Sequence, residues 1–218
     1  MKMFLQVMLL LTLTTATNAK LRVPAADSTL AEDAIFWSRH LMSMNLANDY
    51  KPEQKITSFG QITEEDIPKL QKAWGDALVS ISKTYDEKGL AAAKELAQSV
   101  LDSAYCYDLG IPVLFKPTLT SGKQTFRNTQ EGALAYFVGD NPDYPDDTGF
   151  ALKGWEKVES YPASVVLLGN TAYSQGNVHI TNKSGDVTIV DKTWGYLKED
   201  DGNICIMLHH SSLPYSPS

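Results

Sequence analysis

The residues of this chain that can do chemistry are few and unevenly placed. Its 218 residues include four histidines, His40, His179, His209 and His210, and two cysteines, Cys106 and Cys205. Two of the histidines are adjacent in LHHSSLPY (208–215), where Ser211 and Ser212 follow at once. Imidazole ligates metals or carries a proton near neutral pH, and hydroxyls both donate and accept hydrogen bonds. A catalytic zinc usually takes three protein ligands plus water. The doublet belongs to a strand-like run, about 203 to 213, and neighbours on a strand point to opposite faces. His209 and His210 should therefore not share one ion. A set built from His179, His209 and Cys205 or a carboxylate is conceivable, but no ligand spacing announces it. Neither a metal nor another cofactor is expected.

Alternation along that strand places Cys205, Met207, His209 and Ser211 on one face, and Ile204, Ile206, Leu208, His210 and Ser212 on the other. Both faces begin apolar. One should meet helices, and the other is free to meet a second subunit, which favours a homodimer.

The beginning of the chain bears on its compartment. Lys2, an apolar run from Met3 to Leu13 and a small-residue end at Thr17-Asn18-Ala19 have the layout of an export signal, with cleavage expected after Ala19. The run is well short of the roughly 20 residues that span a bilayer, and no other segment is long enough. A periplasmic or secreted location follows as an expectation. The net charge of −7 and the lack of a Lys/Arg-dense stretch exclude nucleic acid and anionic lipid as natural partners. In an oxidising compartment Cys106 and Cys205 can form a disulfide, but buried free thiols fit the apolar settings AYCYDLG and GNICIMLHH as well.

The elements that must position these residues can be outlined. A signal peptide (1–19) is followed by a helical extension and polar linker (20–61), its helix spanning about Asp27 to Asn45. The main domain (62–215) opens with a helix capped by Thr63 or Asp66, with Leu70, Trp74, Ala77, Leu78 and Ile81 at helical spacing. A second helix starts near Leu90 and ends before Gly110. A short strand (112–118) and a short helix over Ala133–Phe137 follow, the latter with Asn128 and Glu131 as a capping box. Four strand-like runs complete the chain, at about 151–160, 163–180, 186–198 and 203–213. Helices followed by strands joined through tight turns argue for an α+β domain, with helices covering one face of a curved antiparallel sheet.

In order, VLFKPTL, TFRNTQEGALAYFVG, YPDDTGFALKGW, GNVHIT, VDKTWGY and LHHSSLPY make the chain resemble the iota-class carbonic anhydrases. Those enzymes are built on the NTF2-like (SnoaL-like) cone, and the resemblance covers about residues 62–215. It implies reversible hydration of CO2 to bicarbonate; some members work without metal and others are associated with manganese or zinc. It also implies that Thr118, Tyr136 and Ser211 are catalytic and hold bicarbonate, with His209 in the same pocket to carry the proton. Trp194 stands where a smaller aromatic is expected, and Cys106 where a glycine is expected. Read from spacing alone, Thr118 would merely end a strand, Ser211 would satisfy nearby backbone, and Tyr136 would be core. His210, facing away, is assigned a structural or interfacial role.

Two other functions fit the same fold, because a fold does not fix a function. Another small-molecule enzyme on the cone would call for a carboxylate base, and none of the residues matched to the pocket is an Asp or Glu. A non-catalytic periplasmic binding or association module needs no such group.

Overall fold

The computed structural model describes residues 60–217. The expected signal peptide and N-terminal helix lie outside the described residues. Helix α1 (Asp66–Lys88) buries Ile67, Trp74, Leu78 and Ile81, a stripe at helical period. Neither Thr63 nor Asp66 caps it as expected: the cap position is Glu65, without a side-chain cap bond, and the Asp66 carboxylate instead accepts from both the N–H and the hydroxyl of Thr63, each at 2.9 Å. Gly89, at φ 81°, closes α1 and hands over to α2 (Leu90–Ala104), which buries Ala93, Ala97 and Leu101. Then come β1 (Leu114–Lys116) and α3 (Gln130–Val138). Thr129 caps α3 by accepting from the Gly132 N–H at 3.2 Å, one residue beyond the expected Asn128.

Four long strands complete the chain: β2 (Trp155–Leu168), β3 (Thr171–Asn182), β4 (Val187–Lys198) and β5 (Ile204–Ser212). The sheet order is β1-β5-β4-β3-β2. Strands β2 to β5 are antiparallel as expected, but β1 joins β5 in parallel, pairing Phe115 with His209. The architecture is the NTF2-like α+β cone, with its core between the helices and the inner face of the sheet.

Two departures from simple alternation shape the sheet. The sequence suggests a break near residue 161, yet β2 runs on through Tyr161 and Pro162 with a register shift before Ser164. Proline, which has no N–H to pair, is tolerated here because β2 is an outermost strand. Opposite it, Gly176 lies so close that an added Cβ would stand 2.1 Å from the Tyr161 carbonyl oxygen.

The second departure is on β5. Leu208 pairs with Gly195 and Ile206 with Tyr196, so Met207 is an extra residue, a β-bulge. Facing partners share a face, and Lys192, Trp194 and Tyr196 are buried on the inner one. Ser211, His209 and Ile206 therefore point inward together, and Cys205 points the other way. The expected grouping of Cys205 with His209, and of Ile206 on the opposite face, fails because the bulge shifts the period by one residue.

Cys205 is bonded to Cys106, 99 residues away in sequence. This resolves an alternative that sequence left open. In the chain-entropy account, closing a loop of this size is worth about 4–5 kcal/mol. Reduction, or paired Cys106→Ser and Cys205→Ser substitution, should lower unfolding stability by about 3–5 kcal/mol in urea titrations. Identical curves with and without reductant would show that the bond is not formed in solution.

Candidate active site

Three elements deliver hydroxyl groups to the interior. Thr118 follows β1, Ser211 lies near the end of β5, and Tyr136 projects from α3. The parallel β1–β5 pairing brings the first two together: Thr118 Oγ1 and Ser211 Oγ are 2.6 Å apart, both buried. One hydroxyl proton is shared between them. The pair retains a second proton and free lone pairs for a ligand.

Tyr136 is the third hydroxyl. Its ring stacks on Phe150 at 5.4 Å and meets Phe115 edge-on at 5.8 Å. Burial pushes its pKa well above 10, opposed by the nearby Thr118 side chain and the backbone at 118–119. Although these groups are close, none completes a hydrogen bond with the phenol oxygen, which is buried without a partner. A buried orphan hydroxyl costs about 1–3 kcal/mol unless something fills its hydrogen bond. Beside a Thr–Ser pair with capacity to spare, that is a seat for a small oxygen-bearing ligand.

A nearby carboxylate is already engaged. Arg127 donates from Nη2 to both oxygens of Asp147 at 3.0 Å, with both side chains almost fully buried. Asp147 helps keep Tyr136 protonated, but paired with a guanidinium it is not a free base.

His209 shares the inner face with Ser211, as alternation required. Its ring lies between Phe115 (centroids 4.6 Å apart) and Trp194 (4.3 Å), and only 2% of the residue is exposed. Both ring nitrogens have partners. Nδ1 is 2.8 Å from the Tyr105 hydroxyl and Nε2 is 2.6 Å from Lys192 Nζ. Tyr105 also accepts from Trp74 Nε1 at 3.1 Å. Sequence reading singled out neither Tyr105 nor Lys192. A lysine alternating inward between Val190 and Trp194 was the available signal. His210 is exposed on the outer face, lining a cavity of about 230 Å³ with Lys116 and Thr193. Among the described residues, no three His, Cys, Asp or Glu side chains converge as a metal-ligand group.

The match to known proteins follows the same elements. Residues 65–213 match the family described as metal-independent carbonic anhydrase. The chain belongs to that family. It is 58% identical over 154 residues to a metal-independent carbonic anhydrase of Nostoc sp. strain PCC 7120, covering 71% of this chain and 75% of the relative. A crystal structure of a cyanobacterial iota-carbonic anhydrase complexed with bicarbonate superposes with a TM-score of 0.72 at 55% identity, covering 76% of this chain and 99% of that one.

The neutrality of His209 has a measurable consequence. Burial first, then Lys192 and His210, push its pKa well below 6.5. The unfolded chain carries an ordinary histidine there, so below about pH 6.5 it binds a proton that the native state refuses. The contribution is complete above pH 6.5 and is lost as pH falls, at up to about 1.4 kcal/mol per pH unit from this one residue. His209→Gln should flatten that acid slope in urea titrations between pH 7 and 5. An unchanged slope would place the acid sensitivity elsewhere.

Proposed function

We propose that this protein catalyses the reversible hydration of CO2 to bicarbonate, without a metal, at Thr118, Tyr136 and Ser211. The observation that carries the reading is the unpartnered Tyr136 hydroxyl beside the Thr118–Ser211 pair, buried at one place in a chain of this family. Hydration needs a water held for attack, an apolar seat for CO2, and donors for the oxygens that gain charge. Phe115 and Phe150 supply apolar surface next to Tyr136. Hydroxyls can orient water with their lone pairs and then turn their protons toward the product. Because Tyr136 is kept protonated, it is a donor to the carboxylate oxygens as they form. Donors aimed in advance at developing charge are worth about 3–4 kcal/mol each where they have been removed singly.

The cyanobacterial relative is described as complexed with bicarbonate, which supports bicarbonate as the product held here. Export to the periplasm or beyond, with cleavage after Ala19, is part of the proposal; the Cys106–Cys205 disulfide supports it, since such bonds persist in oxidising compartments. A homodimer is also proposed. Tyr161, Val166, Tyr173, Val187 and Ile189 expose apolar surface on the outer face of β2, β3 and β4, the side that a second copy can cover. Sedimentation at micromolar concentration should give twice the chain mass, and a monomer at that concentration would remove this part.

The central test is CO2 hydration by chelator-treated protein. Activity should survive stripping, and Ser211→Ala should fold normally yet turn over about 10- to 1000-fold more slowly. Tyr136→Phe and Thr118→Val should behave alike, with double variants less than additive because the groups hold one ligand. Loss of activity on stripping, restored by one particular divalent ion, would falsify the metal-free reading.

A further inference from the structure

The interior holds an amine for which the hydroxyl chemistry above finds no use. Lys192 is 5% exposed, and among the described residues no carboxylate lies within ion-pair distance of it. Its Nζ stands 3.7 Å above the Trp74 ring and 4.6 Å from that of Trp194, and among the described residues its one hydrogen-bond partner is His209 Nε2. On β4 it faces Ser211 directly across the strand pair, so its stem runs beside one of the three hydroxyls.

Counting protons fixes the state of this group. Trp74 Nε1 is only a donor, so Tyr105 Oη accepts from it. The Tyr105 proton then needs an acceptor, and of the phenol's two partners only His209 Nδ1 can serve. With Nδ1 accepting, the neutral imidazole carries its hydrogen on Nε2. That hydrogen points at Lys192 Nζ, which must offer a lone pair and is therefore an uncharged amine. The opposite assignment makes Lys192 an ammonium donating to Nε2, with Nδ1–H donating to Tyr105. It leaves the proton of a 1%-exposed phenol without an acceptor, and an ammonium buried without a counter-ion. The indole faces that would attract a cation also accept N–H groups of a neutral amine.

Resting on the hydration reading, we infer that Lys192 is a positioning residue for the active site. As a neutral acceptor it holds His209 in the Nε2–H form and fixes the β5 backbone that presents Ser211 to Thr118 and to substrate. Four contacts then define the ring: Tyr105 at one nitrogen, Lys192 at the other, and Phe115 and Trp194 on its faces. His209 works here as an uncharged brace two residues from Ser211. The titratable groups around the pair are Tyr105 from the end of α2, whose pKa burial raises, and His210 on the far side of β5. Burial alone lowers the pKa of Lys192 well below 10.5, in keeping with the count.

The test uses the intact protein and three variants. Side-chain nitrogen NMR at pH 7.5 should show His209 as the neutral Nε2–H tautomer and Lys192 Nζ as an amine. An ammonium signal for Lys192, or an Nδ1–H tautomer, would overturn the inference whether or not the protein hydrates CO2. Absence of hydration in the wild type would instead sink the functional reading and leave the NMR result standing. Among variants, Lys192→Gln keeps a neutral acceptor, Lys192→Met keeps only bulk, and Lys192→Arg introduces a charge that cannot be shed. Hydration turnover should fall least for Gln, about 10- to 100-fold for Met, and most for Arg, with KM changing less than kcat if Ser211 is misaligned rather than absent. Arginine rescuing better than glutamine would mean that charge, not acceptance, is what the site uses. If Arg or Met fails to fold, the tautomer of His209 in Gln decides: retention of Nε2–H supports the inference and loss of it refutes it.

Discussion

One extra residue on β5 decides which side chains reach the interior. Without the bulge at Met207, Cys205 and His209, four apart, would lie on the same face of the strand; with it they lie on opposite faces. The segment they meet has matching parity. Tyr105 is extended, at φ −118° and ψ 147°, so its side chain and that of Cys106 also diverge. Tyr105 turns inward to His209 while Cys106 bonds outward to Cys205. A covalent bond and a buried hydrogen bond thus hold the same two chain segments from opposite sides. Both depend on a single insertion in register.

The site's second organising property is that its polar groups are kept uncharged. Burial raises the phenols of Tyr105 and Tyr136 and lowers His209 and Lys192, so each is driven to its neutral form. The buried charges of Arg127 and Asp147 cancel each other. Water and a small neutral molecule can enter such a place without competing with a bound counter-ion. The cost falls on stability, because each neutral base forgoes protonation that the unfolded chain would accept.

Much of this was legible in the sequence. Helical spacing located α1 and α2, the strand-like runs at 186–198 and 203–213 located β4 and β5, and the paired hydroxyls at Thr118 and Ser211 followed from the resemblance. Strand parity grouped His209 with Ser211 and set His210 on the other face correctly, because all three lie beyond the bulge, and the resemblance put the first pair in the pocket. Parity failed for Cys205 and Ile206, since no residue type in ICIML signals an inserted register step. Lys192 was passed over for another reason, although its alternation with Val190 and Trp194 was a signal. A lysine in a strand is ordinarily a solvated residue, and only the closed aromatic cage of Trp74 and Trp194 makes this one a buried amine. The parallel addition of β1 was also hidden, because three residues carry no pairing direction.

Pro162 and the shortness of β1 acquire a meaning at the level of assembly. Every open sheet has two rims along which a foreign strand can add, and fibrous aggregation exploits them. Here one rim is three residues long, too short to nucleate a ladder. The other, β2, is interrupted by a proline and a register shift, and carries Glu156, Lys157 and Glu159 along its first half. Both rims are blunted, so copies of this chain are discouraged from fusing into a continuous ladder, and the dimer proposed above would use the broad flank of the sheet, where contact can close and stop.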